Sequence, residues 1–209
     1  MRLFDEPEVE LGPGAAWLRG FALRWEEELL AGVERVAAEA PFRHMVTPGG
    51  FRMSVAMTNC GEMGWVTDRQ GYRYSPVDPE SGRAWPAMPA GFRELAERAA
   101  EAAGFGGYAP DACLINRYGV GAKMSPHQDR DELDLRAPIV SVSLGLPAVF
   151  QFGGLRRADS MTRIGLEHGD VVVWGGESRM RYHGVMPVKA GRHARTGEWR
   201  INLTFRRAR

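Results

Sequence analysis

The chain predicts an α+β fold, mainly β, with an antiparallel sandwich or barrel in its C-terminal half. Three observations point there. Two segments of helical period come early, most of the short alternating segments come late, and glycine or proline separates most of the latter.

Taken in order, residues 24–40 read as an amphipathic helix. Trp25, Leu29, Val33 and Val36 recur at helical spacing, and Pro41 stops it. Alternation predicts a strand over Phe51–Met57. Residues 58–89 are rich in glycine, proline and aromatics, with too little apolar periodicity for a core strand. They predict a surface hairpin or lid. Residues 90–103 read as a second helix with Phe92, Leu95 and Ala99 as its apolar stripe and Gly104 as its stop. Further strands are expected at Ala112–Tyr118, Pro138–Leu144, Ala148–Phe152, Val171–Trp174 and Trp199–Phe205.

Composition excludes several classes. With 209 residues, 44% hydrophobic and 25% charged, the chain is neither a disordered tail nor a membrane protein. Its two cysteines, Cys60 and Cys113, rule out a disulfide framework. The stretch Met1–Glu6 lacks the apolar segment of a secretory signal, so a cytoplasmic protein is expected. Net charge is only +1, but it is unevenly spread. Segment 2–10 carries Asp5, Glu6, Glu8 and Glu10 against Arg2, whereas 189–209 sets seven basic residues against Glu198. Such a basic end can steer a polyanion, and it can equally be a solvated tail.

The chemistry concentrates in Ser125-Pro126-His127-Gln128-Asp129-Arg130-Asp131-Glu132. On an extended strand His127, Asp129 and Asp131 share a face. An imidazole and a carboxylate supply two-thirds of the facial metal triad of non-haem Fe(II) oxygenases. With five histidines and nine aspartates, about 0.2 His-x-Asp pairs are expected by chance, so the pair alone is weak. A polar loop fits it as well. The third ligand would come from a later strand, and spacing leaves both His168 and His183 open. Segment Trp199–Arg206 alternates cleanly: Trp199, Ile201, Leu203 and Phe205 against Arg200, Asn202, Thr204 and Arg206. Its polar face is either solvated or the wall of a pocket whose guanidiniums clamp carboxylates. Leu114, Asn116 and Tyr118 share a face of the 112–118 strand.

These segments carry a resemblance. Met45–Gly50, Met53–Gly61, Pro110–Tyr118, His127-Gln128-Asp129, Ala137–Pro147, Glu167–Ser178 and Asn202–Arg206 are similar to the AlkB family of Fe(II)- and 2-oxoglutarate-dependent dioxygenases, from about residue 40 to 206. The resemblance implies a double-stranded β-helix, or jelly roll, with supporting N-terminal helices and a nucleotide-recognition lid. It implies a single domain over 1–209, with the lid at about 43–89 and the catalytic core at about 110–209. It places the metal ligands on His127, Asp129 and His183 and leaves His168 as a turn residue. Asn116, Tyr118, Arg200, Asn202 and Arg206 would form the 2-oxoglutarate pocket. Trp65, Tyr72, Tyr74, Asp131 and Arg157 would contact substrate.

The activity so implied is oxidative demethylation of N-alkylated bases of the 1-methyladenine and 3-methylcytosine type. It uses Fe(II), 2-oxoglutarate and O2, releases formaldehyde and directly reverses DNA damage. The expected partner is single-stranded or base-flipped DNA, and also RNA, met by a monomer with no membrane association. Phe51, Arg73, Val120 and Met124 depart from the family pattern, away from the metal ligands.

Overall fold

The computed structural model describes residues 8–209; the Met1–Glu6 stretch and all but the end of the acidic segment 2–10 lie outside it. Two strands, β1 (Glu8–Gly12) and β2 (Ala15–Leu18), precede a single 3-10 turn at Leu23–Trp25 and helix α1 (Glu26–Glu39). Strand β3 (Ala56–Gly61), the hairpin β4 (Gly64–Asp68) and β5 (Gly71–Ser75), and helix α2 (Ala90–Ala102) come next. The remainder is β6 (Ala112–Tyr118), β7 (Met124–His127), β8 (Ile139–Gly145), β9 (Ala148–Phe152), β10 (Thr162–Leu166), β11 (Val171–Trp174), β12 (His183–Val185) and β13 (Arg200–Arg206).

The strands form a seven-stranded sheet in the order β1-β2-β11-β8-β13-β6-β3 and a four-stranded sheet in the order β10-β9-β12-β7. Neighbours in both are antiparallel, and β4-β5 stands apart as a ribbon. This is a jelly roll with two helices laid on the larger sheet. No helix among the described residues is long and apolar enough to cross a membrane.

Period two decides which side of the large sheet each residue serves. Val171 and Val173 of β11, Val140, Val142 and Leu144 of β8, and Ile201, Leu203 and Phe205 of β13 face the helices. They pack with Leu29, Val33 and Val36 of α1 and Phe92, Leu95 and Ala99 of α2. Val172 and Trp174 face the small sheet, where Phe150, Phe152 and Ile164 complete a second core. The α2 helix ends where Gly104 takes φ +85°, and the Phe105 amide then donates to the Ala100 carbonyl at 2.8 Å.

Three expectations shift. The strand expected over Phe51–Met57 starts only at Ala56 and runs on to Gly61. Residues 51–55 are loop, with Phe51 77% exposed, because β3 is buried on both faces and its true pattern does not alternate. Trp199 lies outside β13 and is 44% exposed rather than in the apolar core. Strands β1, β2, β7, β10 and β12 were not expected; all five are only three to five residues long, although Val9 and Leu11 of β1 do alternate with Glu8 and Glu10.

Candidate metal centre

Strands β7 and β12 bring two histidines together. Their register pairs His183 with His127, and Val185 with Met124, so β7 holds one extra residue and bulges at Ser125-Pro126. Proline suits the bulge, where a ladder N–H is not required. Gly184 sits opposite it: a Cβ there would stand 2.7 Å from the Met124 carbonyl oxygen. The imidazole centroids are 4.5 Å apart.

Asp129 completes the group, but not on a shared strand face. β7 ends at His127, and Asp129 turns in from the following loop. His127 Nε2 lies 3.5 Å from Asp129 Oδ1 and His183 Nε2 lies 3.7 Å from Oδ2. The three donor atoms lie within 4.8 Å of one another, the only such set among the described residues. Each imidazole donates from Nδ1 to the carbonyl two residues before it: His127 to Ser125 at 2.9 Å and His183 to Arg181 at 3.1 Å. That fixes the tautomer and leaves both Nε2 lone pairs aimed at the shared space. His168 is elsewhere. Its Nδ1 accepts the Gly145 amide at 2.8 Å, and its ring stacks on His193.

Electrostatics keep Asp129 ionised and His183 neutral. Burial alone would raise the Asp129 carboxyl, but the Arg206 guanidinium, with both imidazoles, holds it well below the usual carboxylate range. Arg206 donates to Asp129 Oδ2 from Nε at 3.0 Å and from Nη2 at 2.7 Å. Burial, and then the neighbouring His127, push His183 down to about 4, so it stays neutral and ligating near neutral pH.

The inner face of β13 gathers the other polar residues. Arg200 stands opposite Tyr118, and Asn202 opposite Asn116. Arg200 is 1% exposed, yet no carboxylate among the described residues pairs with it. Its Nη2 donates to Ser143 Oγ at 3.1 Å, while Nε and Nη1 have no partner among the described residues, and its guanidinium lies 5.0 Å from the Tyr118 ring centroid. Burial pushes its pKa down. Asn116 Oδ1 is likewise buried and unpaired. Asn202 is engaged by the sheet: its Nδ2 donates to Ser141 Oγ and Val142 O, and its Oδ1 accepts from Asn116 and Thr204. Two orphaned guanidinium N–H groups in one wall are the donor set a bound carboxylate would complete. The residues therefore fit both an Fe(II) ion and a dicarboxylate.

These groups line one cavity of about 730 Å3. Trp65, Tyr72, Asp131 and Arg157 stand at it too, with Phe51, Met124 and Lys123. Asp131 does not continue a ligand face; it is exposed and accepts from Trp65 Nε1 at 2.9 Å. Trp65 stacks on Tyr72 with centroids 5.8 Å apart. Tyr74 is not among the lining residues: its hydroxyl donates to Glu132 at 2.7 Å. Arg73 pairs with Asp68 on the hairpin, and Val120 is exposed near Trp199. Sequence reading passed over Glu132 and Arg179, a buried ion pair at 2.9 Å. Glu132 ends the acidic cluster already singled out, but nothing distinguishes Arg179 among the many arginines.

Comparison with known proteins agrees with this geometry. The family model described as 2OG-Fe(II) oxygenase superfamily matches residues 14–206. Alpha-ketoglutarate-dependent dioxygenase AlkB of Escherichia coli (strain K12) is 64% identical over 204 residues, covering 97% of this chain and 94% of that protein. Nucleic acid dioxygenase ALKBH1 of Mus musculus is 35% identical over 122 residues, 58% of this chain and 31% of that protein. The solved structure of OsALKBH1 superposes with a TM-score of 0.84 at 28% identity, covering 96% of this chain and all of that one.

Proposed function

This chain belongs to the AlkB family of 2OG-Fe(II) oxygenases, and from that premise we propose that it removes N-linked methyl groups from nucleic-acid bases. The substrates are bases of the 1-methyladenine and 3-methylcytosine type in single-stranded or base-flipped DNA, and in RNA. The observation that carries this reading is one cavity holding the His127, Asp129 and His183 donors, the unpartnered Arg200 guanidinium and an aromatic rim.

When bound, Fe(II) with 2-oxoglutarate and O2 supplies hydroxylation of the N-methyl carbon, with succinate and carbon dioxide as co-products. The N-hydroxymethyl base then loses formaldehyde and recovers its ring nitrogen. His127 and His183 would hold the ion through Nε2 and Asp129 through its carboxylate, three protein donors in all. Arg206 keeps that carboxylate ionised and aimed. Arg200 would offer its unpartnered guanidinium donors to one 2-oxoglutarate carboxylate, with Tyr118 against it and Asn116 and Asn202 in the same wall. Trp174, centred 4.8 Å from His183, and Phe150 give the site an apolar wall.

A base buried in duplex cannot reach this cavity, so it enters single-stranded or flipped. Trp65 and Tyr72 offer stacking surfaces worth about 1–3 kcal/mol per base. Asp131 accepts from an exocyclic amine and attracts a cationic ring, and Arg157 stands at the rim. We assign the lid to about residues 43–89 and the core to about 110–209, in a cytoplasmic monomer; Tyr74 serves the lid through Glu132.

The test is incubation with Fe(II), 2-oxoglutarate and oligonucleotides of defined lesion, followed by mass spectrometry. Loss of one methyl group with matching succinate and formaldehyde is expected. Equal repair without 2-oxoglutarate would overturn the reading.

A further inference from the structure

Behind the ligand Asp129, itself buried, lie three more buried charged side chains: Glu132, Arg179 and Arg206. Glu132 is the hub. Its Oε2 accepts from Arg179 Nη2 at 2.9 Å, and its Oε1 lies 3.4 Å from Arg206 Nε. Arg206 holds the Asp129 carboxylate, while Arg179 Nη1 donates to the Asp129 backbone carbonyl at 2.7 Å. Arg179 Nε is anchored in turn on the Ala137 carbonyl at 3.0 Å. Asp129 is therefore gripped at its side chain and at its backbone, and both grips meet at Glu132.

One further group enters this network. Tyr74, on β5, donates its hydroxyl to Glu132 Oε1 at 2.7 Å. That contact joins the ribbon carrying Trp65 and Tyr72 to the residues that aim Asp129. A buried network of fully paired charges is stiff, because each displaced partner leaves a charge uncompensated. Displacing the ribbon must therefore shift Glu132 or break its bond to Tyr74.

We propose that Tyr74, Glu132 and Arg179 are positioning residues that couple the β4–β5 ribbon to Asp129, so that a base held by the ribbon tightens the grip on the metal. Linkage requires the metal to tighten the grip on the base by the same factor. The inference rests on Asp129 as a ligand and on the ribbon as the base-holding lid. It gives Tyr74 a role away from the base.

The test is an anaerobic Co(II) titration of the full chain with 2-oxoglutarate, read by cobalt absorption. It is run with and without a saturating single-stranded oligonucleotide bearing one 1-methyladenine. In the wild type the oligonucleotide should tighten Co(II) by about fivefold or more. Tyr74→Phe deletes one hydroxyl and keeps the ring, and the ratio should fall to within about twofold of one. Glu132→Gln keeps the shape and an acceptor for Tyr74 but loosens both arginines, and should lose the ratio too. Trp65→Phe also deletes the Nε1 donor to Asp131; it should weaken oligonucleotide binding yet preserve the ratio at saturation, which separates the Tyr74 coupling from stacking and from the Trp65–Asp131 contact. A wild-type ratio in Tyr74→Phe, or a ratio of one in the wild type, overturns the coupling alone. A wild type that binds no Co(II) overturns the metal assignment and the coupling with it.

Discussion

The two faces of β13 are buried equally and do opposite things. Ile201, Leu203 and Phe205 meet α1 and α2 in a wholly apolar layer, with Phe205 set edge-on to Phe92. Arg200, Asn202, Thr204 and Arg206, on the same seven residues, fill the other side with polar atoms. The outer face stabilises the fold by removing apolar surface from water. The inner face keeps groups whose burial opposes folding unless each finds a partner. Burial therefore does not report purpose here; the state of each polar atom does. Asn202 is satisfied by the sheet, Arg206 by Asp129, and Arg200 is left with two free donors.

Substitutions can break this contrast. The largest effect should come from His183→Ala or Asp129→Ala, which should abolish turnover and metal binding, whereas His168→Ala should leave the metal site intact. Calorimetry with Co(II) and product assays check both; an active His183→Ala would undo the assignment. On the outer face, Phe92→Ala should cost about 3–5 kcal/mol of stability by opening a cavity. Its kcat at low temperature should be retained, as measured by urea unfolding beside a rate assay.

Arg200 should behave as neither. Arg200→Ala should raise the KM for 2-oxoglutarate by roughly 10- to 100-fold, as loss of a charge-assisted bond worth about 1.5–3 kcal/mol predicts. Arg200→Met should nonetheless raise the melting temperature of the metal-free protein, because it removes a buried charge with unfilled donors. A lowered melting temperature would mean that Arg200 is structural.

Acid sharpens the comparison further. His183 is pushed down to about 4 in the fold from an ordinary 6.5, so the unfolded chain binds the extra proton between those values. Stability of the metal-free protein should therefore fall as pH drops from about 6.5 to about 4, by roughly 1.4 kcal/mol per unit at most from this group. His183→Gln should remove that part of the slope, as melting curves across the window would show. The smallest effect belongs to the rim. Asp131→Ala should lower activity several-fold more on 1-methyladenine and 3-methylcytosine than on 1-methylguanine, in parallel assays with 2-oxoglutarate binding unchanged. Equal losses on every lesion would remove Asp131 from base reading.

What the sequence exposed follows the same division. Alternation alone laid out both faces of β13 and the Asn116–Tyr118 partner wall, because period two survives when a sheet has two different interiors. His127 and Asp129 were visible as neighbours in the chain. His183 could not be separated from His168 by spacing, since which turn reaches β7 is decided by sheet order. Glu132 and Arg179 were hidden for a similar reason. A buried ion pair forms between residues 47 apart, and no local pattern marks it. β12, only three residues long, is too short to show a period.

Gly184 gives the metal site an unexpected gauge. It touches no ligand atom, yet its missing side chain lets β12 lie against the bulge of β7, with the Met124 carbonyl oxygen where a methyl carbon would otherwise press. The two imidazoles ride on those strands, one residue away. The width of the bite offered to an ion is thus ruled by a hydrogen atom on the backbone beside His183.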